Sequence, residues 1–161
     1  ILEEDIVPDT GVLSVGGGGL LCGISEGLKK NNLDKTSILA IETEGADSLH
    51  NSYTQNRHVS IDSIGSIATS LGTKKVAHHA FEISKEKNVF CELVTDKDAI
   101  KSVDLFLNDH RILVEPACGA SLASIYKNSN FFKDKKNIVV IICGGVGITL
   151  KQLNLWKKEY L

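Results

Sequence analysis

Four consecutive glycines, Gly16 to Gly19, are the part of the chain best suited to chemistry. They follow an apolar segment at residues 11–15 and precede apolar residues at helical spacing, which predicts a turn between a buried strand and a helix. Glycines let the backbone approach an anion closely, and the free N–H groups and dipole at a helix start favour a phosphate. Because such a run is costly in chain entropy, we interpret it as a phosphate-binding loop rather than an ordinary tight turn. It matches neither a G-x-G-x-x-G fingerprint nor a Walker A motif.

A second glycine-rich turn begins at Cys143, which follows the apolar residues 138–142 and precedes Gly144 and Gly145. A cysteine in this position is either a small buried hydrophobic residue or a functional thiol. Its position alone does not decide between the two. A thiol here could be a weak hydrogen-bond partner for the ring nitrogen of a ligand.

Two glutamates also come at the ends of apolar segments. Glu42 ends residues 37–42 and could bind a metal ion or a ligand amine, although by itself this feature favours a solvated strand end. Glu115 precedes Pro116 and several small residues, which predict a closely packed helix start with a structural role.

The elements that must position these residues alternate along the chain. Strands are predicted at residues 11–15, 37–42, 88–94 and 138–142, with an extended segment at 112–114. Helices are predicted from residue 20 to a stop at 31–32, and at 74–87, 95–109, 117–127 and 149–156. Residues 45–53 are a short helix or irregular, and residues 59–73 are a loop with a little helix.

This order predicts an α/β fold, with a mostly parallel sheet covered by helices on both faces. The helix after residue 94 starts with Thr95 and Asp98 at the spacing of a capping box. Ligands of such folds bind at the carboxyl ends of the strands. Both glycine-rich turns are predicted to lie there.

Composition narrows the classes of function. The chain has 161 residues, 42% of them hydrophobic and 24% charged, and a net charge of -2. These values fit one globular domain and give no broad attraction to nucleic acid or an anionic membrane. No apolar run reaches the roughly 18 residues that a membrane span needs, and the acidic start carries no secretory pattern.

The four cysteines show neither a C-x-x-C pair nor zinc-site spacing. We therefore expect reduced thiols in a cytoplasmic protein. Because the sequence contains no methionine, we also expect it to be a piece of a longer protein.

Five segments, taken in order, resemble the L-serine dehydratase branch of the fold-type-II pyridoxal-phosphate enzymes. They are residues 14–23 (SVGGGGLLCG), 42–46 (ETEGA), 70–72 (SLG), 114–120 (VEPACGA) and 142–145 (ICGG). Five segments in register are far more specific than any one of them. The resemblance implies that residues 1–161 are the C-terminal part of the large cofactor-binding domain, with the small domain and the Schiff-base lysine upstream.

The resemblance also implies roles for individual residues. The backbone N–H groups of five residues would hold the phosphate of pyridoxal 5'-phosphate: Gly16, Gly17, Gly18, Gly19 and Leu20. Cys143 would face the pyridine nitrogen, and Ser70 would lie beside the ring, where close relatives often have alanine. Glu42 and four backbone oxygens would match a monovalent-cation site for K+: those of Gly16, Ala46, Leu71 and Thr73. The family also implies a homodimer.

The implied reaction is β-elimination from an amino-acid substrate. L-Serine would give pyruvate and ammonia, and L-threonine would give 2-oxobutanoate and ammonia. A carboxylate at position 143 would stabilise a protonated ring nitrogen and strengthen the electron sink. We expect a neutral Cys143 thiol, a weaker sink, and prompt elimination instead of reprotonation at Cα.

One departure from the family concerns catalysis. The family's Schiff-base lysine lies in a Ser-x-Lys context, and this sequence contains none. Ser84 and Lys85 are adjacent and lie in a charged predicted helix. We therefore expect the 161-residue chain alone to be inactive.

Other interpretations stay open. Racemase-like relatives carry an acidic residue two positions after the alanine of the cation site, where this chain has Ser48, with Asp47 one place earlier. Biosynthetic threonine dehydratases carry a C-terminal regulatory domain, whereas this sequence ends soon after Trp156. A non-catalytic phosphate- or nucleotide-binding module, or an inactive paralogue, would also suit the glycine loop.

Overall fold

The computed structural model describes residues 6–161. Within them, one sheet contains four parallel strands in the order β3-β2-β1-β4. The strands are β1 (Thr10–Ser14), β2 (Ser37–Thr43), β3 (Val89–Val94) and β4 (Ile138–Val140). The helices are α1 (Gly19–Lys30), α2 (Ser48–Thr54), α3 (His78–Ser84), α4 (Asp96–His110), α5 (Pro116–Tyr126) and α6 (Leu150–Tyr160). Single 3-10 turns occur at Thr69–Leu71 and Asn130–Phe132.

Helices cover both faces of this sheet. Strands β1 and β2 are buried along their whole length, as expected of central parallel strands. On one face the alanines of α5 pack against alternate strand residues: Ala117, Ala120 and Ala123 against Val12, Leu39 and Ile41. On the other face α1, α2 and α3 contribute Leu21, Leu49 and Ala80 to a second cluster with Leu13 and Ile38. The predicted α/β class, with a parallel sheet and helices on both sides, is confirmed.

The strand register brings the two glycine-rich turns together. Strand β1 pairs with β4 through Val12 and Val140, so both strands end at the same edge of the sheet. The run of glycines follows β1, and Cys143 follows β4. Neighbouring parallel strands therefore deliver both turns to one site, at the carboxyl edge that the sequence predicted.

Two predicted elements differ from those observed. The helix predicted at residues 74–87 begins only at His78, because Val76 packs beside the glycine run and the Ala77 N–H donates to the Gly17 carbonyl at 3.0 Å. Residues 112–114 form no strand, since they pack against the turn after β4, where the Glu115 N–H donates to the Gly144 carbonyl at 3.2 Å. Among the described residues no helix is both long and apolar enough to cross a membrane.

Candidate active site

The glycine run is pressed against its neighbours at two positions. Gly18 has a φ of 94°, and a Cβ there would lie 2.4 Å from the Cβ of Ala80. A Cβ at Gly16 would lie 2.8 Å from the carbonyl oxygen of Ser70. Only glycine fits these two places, because one needs a left-handed backbone and both need the space of a side chain.

The first turn of α1 leaves its backbone donors free. Among the described residues, none of the N–H groups of residues 16–21 donates to a protein acceptor. Gly18 is the N-cap, no side chain caps the helix, and its first turn contains no acidic residue. The uncapped N–H groups and the helix dipole make this end of α1 suited to an anion.

These N–H groups border a cavity of about 240 Å³. Its lining includes every residue that the sequence predicted to hold the cofactor: Gly16, Gly17, Gly18, Gly19, Leu20, Ser70 and Cys143. A larger cavity of about 410 Å³ lies between α1 and strands β1 and β4, but no titratable side chain lines it. The smaller cavity is therefore the better candidate for chemistry.

Cys143 brings a sulfur with unusual surroundings to this cavity. Its Sγ lies 3.4 Å from the Sγ of Cys118 and 3.7 Å from the Oγ of Ser14. The hydrogen bond between the two sulfur atoms is the main reason that the pKa of Cys143 is lowered to about 6; the contact with Ser14 also lowers this pKa, whereas burial and Glu115 raise it. The sequence analysis overlooked Cys118, and the neutral thiol that it expects at Cys143 stays a prediction.

Sequence reasoning also missed a carboxylate at the cavity. Glu115 Oε1 accepts a hydrogen bond from Ser70 Oγ at 2.9 Å, and Oε2 accepts one from the Gly147 N–H at 3.3 Å. Glu115 is the N-cap residue of α5, yet its side chain does not cap that helix. The sequence signal that could have pointed to this role is a glutamate directly before Pro116 at a predicted helix start.

Comparison with known proteins identifies the family. The family model described as "Pyridoxal-phosphate dependent enzyme" matches residues 1–144. The chain belongs to this family. It is 39% identical over 160 residues to human L-serine dehydratase/L-threonine deaminase, an alignment that covers 94% of this chain and 49% of the human protein.

Solved structures of family members agree with the fold. The L-serine ammonia-lyase of the fungus Rhizomucor miehei superimposes with a TM-score of 0.94 at 32% identity, over 99% of this chain and 52% of that one. Maize serine racemase gives a TM-score of 0.82 at 25% identity, over 99% of this chain and 50% of that one. The chain thus spans about half the length of the relatives it matches.

The site of this pyridoxal-phosphate family member fits its cofactor chemically. Free N–H donors at the start of α1 suit a phosphate, and the sulfur of Cys143 suits a ring nitrogen. The weaker electron sink that follows from a neutral Cys143 thiol stays a prediction.

Of the residues predicted to bind a monovalent cation, only some lie in contact with one another. A Cβ at Gly16 would approach the Cα of Leu71 to 3.2 Å, and the Thr73 N–H donates to the Leu71 carbonyl at 2.7 Å. Ala46 lies in the same apolar cluster as Leu71. Among the described residues no group of three His, Cys, Asp or Glu side chains could hold a metal ion, but a site made mainly of backbone oxygens would not have this form.

Glu42 is buried, and its carboxylate meets the start of α2. It accepts hydrogen bonds from the N–H groups of Leu49 at 3.0 Å and His50 at 2.6 Å. Burial raises the pKa of Glu42 to about 8, although these two hydrogen bonds act to lower it. The solvated strand end that this residue suggested by itself is therefore excluded, and its role in cation binding stays a prediction.

Proposed function

We propose that this chain supplies the phosphate and ring-nitrogen sites of a pyridoxal-phosphate-dependent lyase. The enzyme eliminates water from L-serine, and hydrolysis of the resulting aminoacrylate takes up water and releases ammonia to give pyruvate; L-threonine gives 2-oxobutanoate and ammonia in the same way. Family membership and the names of relatives that are 39% and 32% identical support this reaction class. The observation that carries the proposal is the set of free N–H groups at residues 16–21 beside a cavity that Cys143 also lines.

Each residue that lines the site has a defined role in this proposal. The N–H groups of Gly16 to Leu20 bind the phosphate and thereby orient the ring. Cys143 would face the ring nitrogen, and Ser70 would lie beside the ring, held by its hydrogen bond to Glu115. The bound cofactor supplies the electron sink that acidifies the substrate Cα.

A structural cation completes the proposal. K+ would bind the backbone oxygens of Gly16, Ala46, Leu71 and Thr73 together with Glu42. The approach of Gly16 to Leu71 and the burial of Glu42 support it. A cation near this carboxylate would favour its charged form and offset the cost of burial.

The setting of the enzyme is part of the same proposal. Residues 1–161 would form the C-terminal part of the large domain, and the full-length enzyme would be a cytoplasmic homodimer. The four free cysteines agree with a reducing compartment. The dimer rests on the resemblance to the dehydratases.

Phosphate recognition can be tested without the Schiff-base lysine. The probe is 4-deoxypyridoxine 5'-phosphate, which lacks the aldehyde and cannot react with surface lysines. Calorimetry should give one site and an affinity at least about 100-fold higher than for unphosphorylated 4-deoxypyridoxine, because charge-assisted hydrogen bonds carry the binding. Equal affinities for the two compounds, or displacement of the probe by NAD, would contradict the proposal.

The reaction needs a second assay. The segment that precedes the matched region in the human relative is placed before Ile1, and pyruvate formed from L-serine is measured by coupling to lactate dehydrogenase. The extended protein should produce pyruvate, and the 161-residue chain alone should not. Turnover by the chain alone would refute its inactivity, and D-serine formed in excess of pyruvate would favour a racemase.

A further inference from the structure

The carboxylate of Glu115 joins two loops at the cavity beside the start of α1. Its Oε1 accepts a hydrogen bond from Ser70 Oγ at 2.9 Å, and its Oε2 accepts one from the Gly147 N–H at 3.3 Å. Ser70 belongs to the 3-10 turn at Thr69–Leu71, and Gly147 belongs to the turn after β4 that also contains Cys143. These two donors are 45 and 32 positions from Glu115 in the chain, so a single side chain bridges loops that are distant in sequence.

The turn after β4 lies in close contact with the segment that leads into α5. The Glu115 N–H donates to the Gly144 carbonyl at 3.2 Å. A Cβ at Gly145 would lie 2.5 Å from the carbonyl oxygen of Leu113, and a Cβ at Gly147 would lie 2.9 Å from Glu115 Oε2. The absence of side chains at these glycines therefore lets the turn approach Glu115 closely enough for the hydrogen bond from Gly147.

Ser70, the other partner of Glu115, is held on two sides. A Cβ at Gly16 would lie 2.8 Å from the Ser70 carbonyl oxygen, so the backbone of Ser70 packs against the glycine run. The hydroxyl of Ser70 donates to Glu115. Ser70, Glu115 and Cys143 all line the same cavity. The bridge therefore fixes the position of the Ser70 loop relative to the turn that carries Cys143.

The side chain of Glu115 contributes little to the rest of the fold. It does not cap α5, although Glu115 is the N-cap residue of that helix. Among the described residues, it forms no ion pair with a lysine, arginine or histidine. Both of its hydrogen bonds are exposed, and hydrogen bonds that water can replace add only modestly to the free energy of folding. The geometry thus suits the positioning of two loops better than the stabilisation of the whole domain.

We propose that Glu115 is a positioning residue, whose carboxylate sets the spacing between Ser70 and the turn that carries Cys143. That a cofactor ring occupies the space between them rests on the proposed function, but the bridge itself does not. Without the bridge, the N–H groups at the start of α1 still offer a phosphate site, whereas the contacts for the ring are no longer preorganised. Loss of Glu115 should therefore weaken binding of the ring and leave binding of phosphate intact.

The first experiment detects the bridge by NMR and needs no ligand. Because Ser70 and Gly147 bond to the two oxygens of one carboxylate, Ser70→Ala should shift the N–H resonance of Gly147. In a Glu115→Ala background, Ser70→Ala should leave that resonance unchanged. An unmoved resonance in Ser70→Ala, or an equal shift in both backgrounds, would overturn the bridge.

Ser121→Ala is the matched control for the loss of a serine hydroxyl. Ser121 is buried in α5, and its Oγ has no hydrogen-bond partner among the described residues. This variant should leave the Gly147 resonance in place. If Glu115→Ala does not fold, Glu115→Leu, which fills the space without an acceptor, takes its place.

The second experiment measures whether the bridge positions the ring. Affinities for 4-deoxypyridoxine 5'-phosphate and for inorganic phosphate are compared between Glu115→Ala and Glu115→Gln, which remove the same charge. The amide of glutamine can still accept from Gly147 and donate to Ser70. Affinity for the probe should therefore be about tenfold higher in Glu115→Gln than in Glu115→Ala, whereas affinity for inorganic phosphate should be equal in the two variants.

The outcomes separate this inference from the proposed function. A difference between the two variants that is confined to the probe supports the positioning role. Equal probe affinities, or a parallel difference for inorganic phosphate, would overturn it. If the probe did not bind to the parent protein, the proposed function would fail, and the Gly147 shifts would still decide whether Glu115 bridges the two loops.

Discussion

Two helices of this protein begin at the same edge of the sheet in opposite ways. Helix α4 begins with a complete capping box, in which Thr95 and Asp98 satisfy each other's backbone N–H groups, and Asp96 adds a second carboxylate. Helix α1 begins at Gly18 with no side-chain cap and no acidic residue. We call the capped N-terminus of α4 the closed start and the uncapped N-terminus of α1 the open start.

The capped start contributes to the stability of the fold, and the uncapped start is suited to binding a ligand. A capping box satisfies two of the backbone N–H groups at a helix start, and acidic residues there stabilise the helix and disfavour an external anion. An uncapped start forgoes that stabilisation, and its free N–H groups and dipole then favour an external anion. The start of α4 stabilises its helix, whereas the start of α1 is the site that we propose for the phosphate.

A carboxylate placed at the open start should abolish the difference in anion binding between the two helix starts. Gly17→Asp has room, because the nearest atom to a Cβ there is Thr73 Oγ1 at 3.9 Å. We expect affinity for 4-deoxypyridoxine 5'-phosphate to fall about 100-fold, roughly 3 kcal/mol, from charge repulsion. Calorimetry measures it. Gly23→Ala on the same helix is the control, and an unaltered affinity for Gly17→Asp would contradict the assignment.

The backbone and steric strain at the open start can be measured separately from its binding of an anion. Gly18→Ala should destabilise the fold by about 2 kcal/mol, because the position has a φ of 94° and its Cβ would lie 2.4 Å from Ala80. Gly19→Ala meets nothing within 4 Å and should stabilise the fold by up to about 1 kcal/mol. Urea unfolding of the pair tests this, and equal effects would show that the glycine requirement has been misplaced.

Removal of the cap on the closed start should affect stability alone. Thr95→Ala loses the hydrogen bond from the Asp98 N–H at 3.1 Å and should lower the free energy of unfolding by about 1 kcal/mol. Its affinity for the phosphate probe should equal that of the parent protein. A loss of affinity here would mean that the two helix starts are not independent.

The smallest expected effect is a dependence of stability on acid pH. Burial raises the pKa of Asp98, but hydrogen bonds from Lys127 and Thr95 outweigh it, so the pKa is lowered. A lowered carboxyl pKa stabilises the fold above the unfolded value of 3.8, and this is lost as pH falls through the folded value. Asp98→Asn should therefore flatten the stability profile below about pH 4, by less than about 1 kcal/mol. An unchanged acid slope would contradict it.

Local patterns predicted both helix starts, because a glycine run and a Thr-x-x-Asp spacing act over a few residues. The parallel sheet followed from apolar strands that alternate with helices. The contact between Cys118 and Cys143 and the hydrogen bond between Ser70 and Glu115 could not be predicted. They join residues 25 and 45 positions apart, and only the packing of α5 under the turn after β4 creates them. The early part of the helix predicted at residues 74–87 failed for a related reason, since Ala77 bonds to Gly17 instead of continuing a helix.

The most direct test is an NMR titration of backbone amides with 4-deoxypyridoxine 5'-phosphate. We expect the N–H resonances of residues 16–21 to move as the ligand is added, while those of residues 96–98 stay in place. Saturable shifts confined to another surface, or amides at residues 16–21 that do not respond to the phosphate, would contradict the claim that the open start of α1 binds the cofactor.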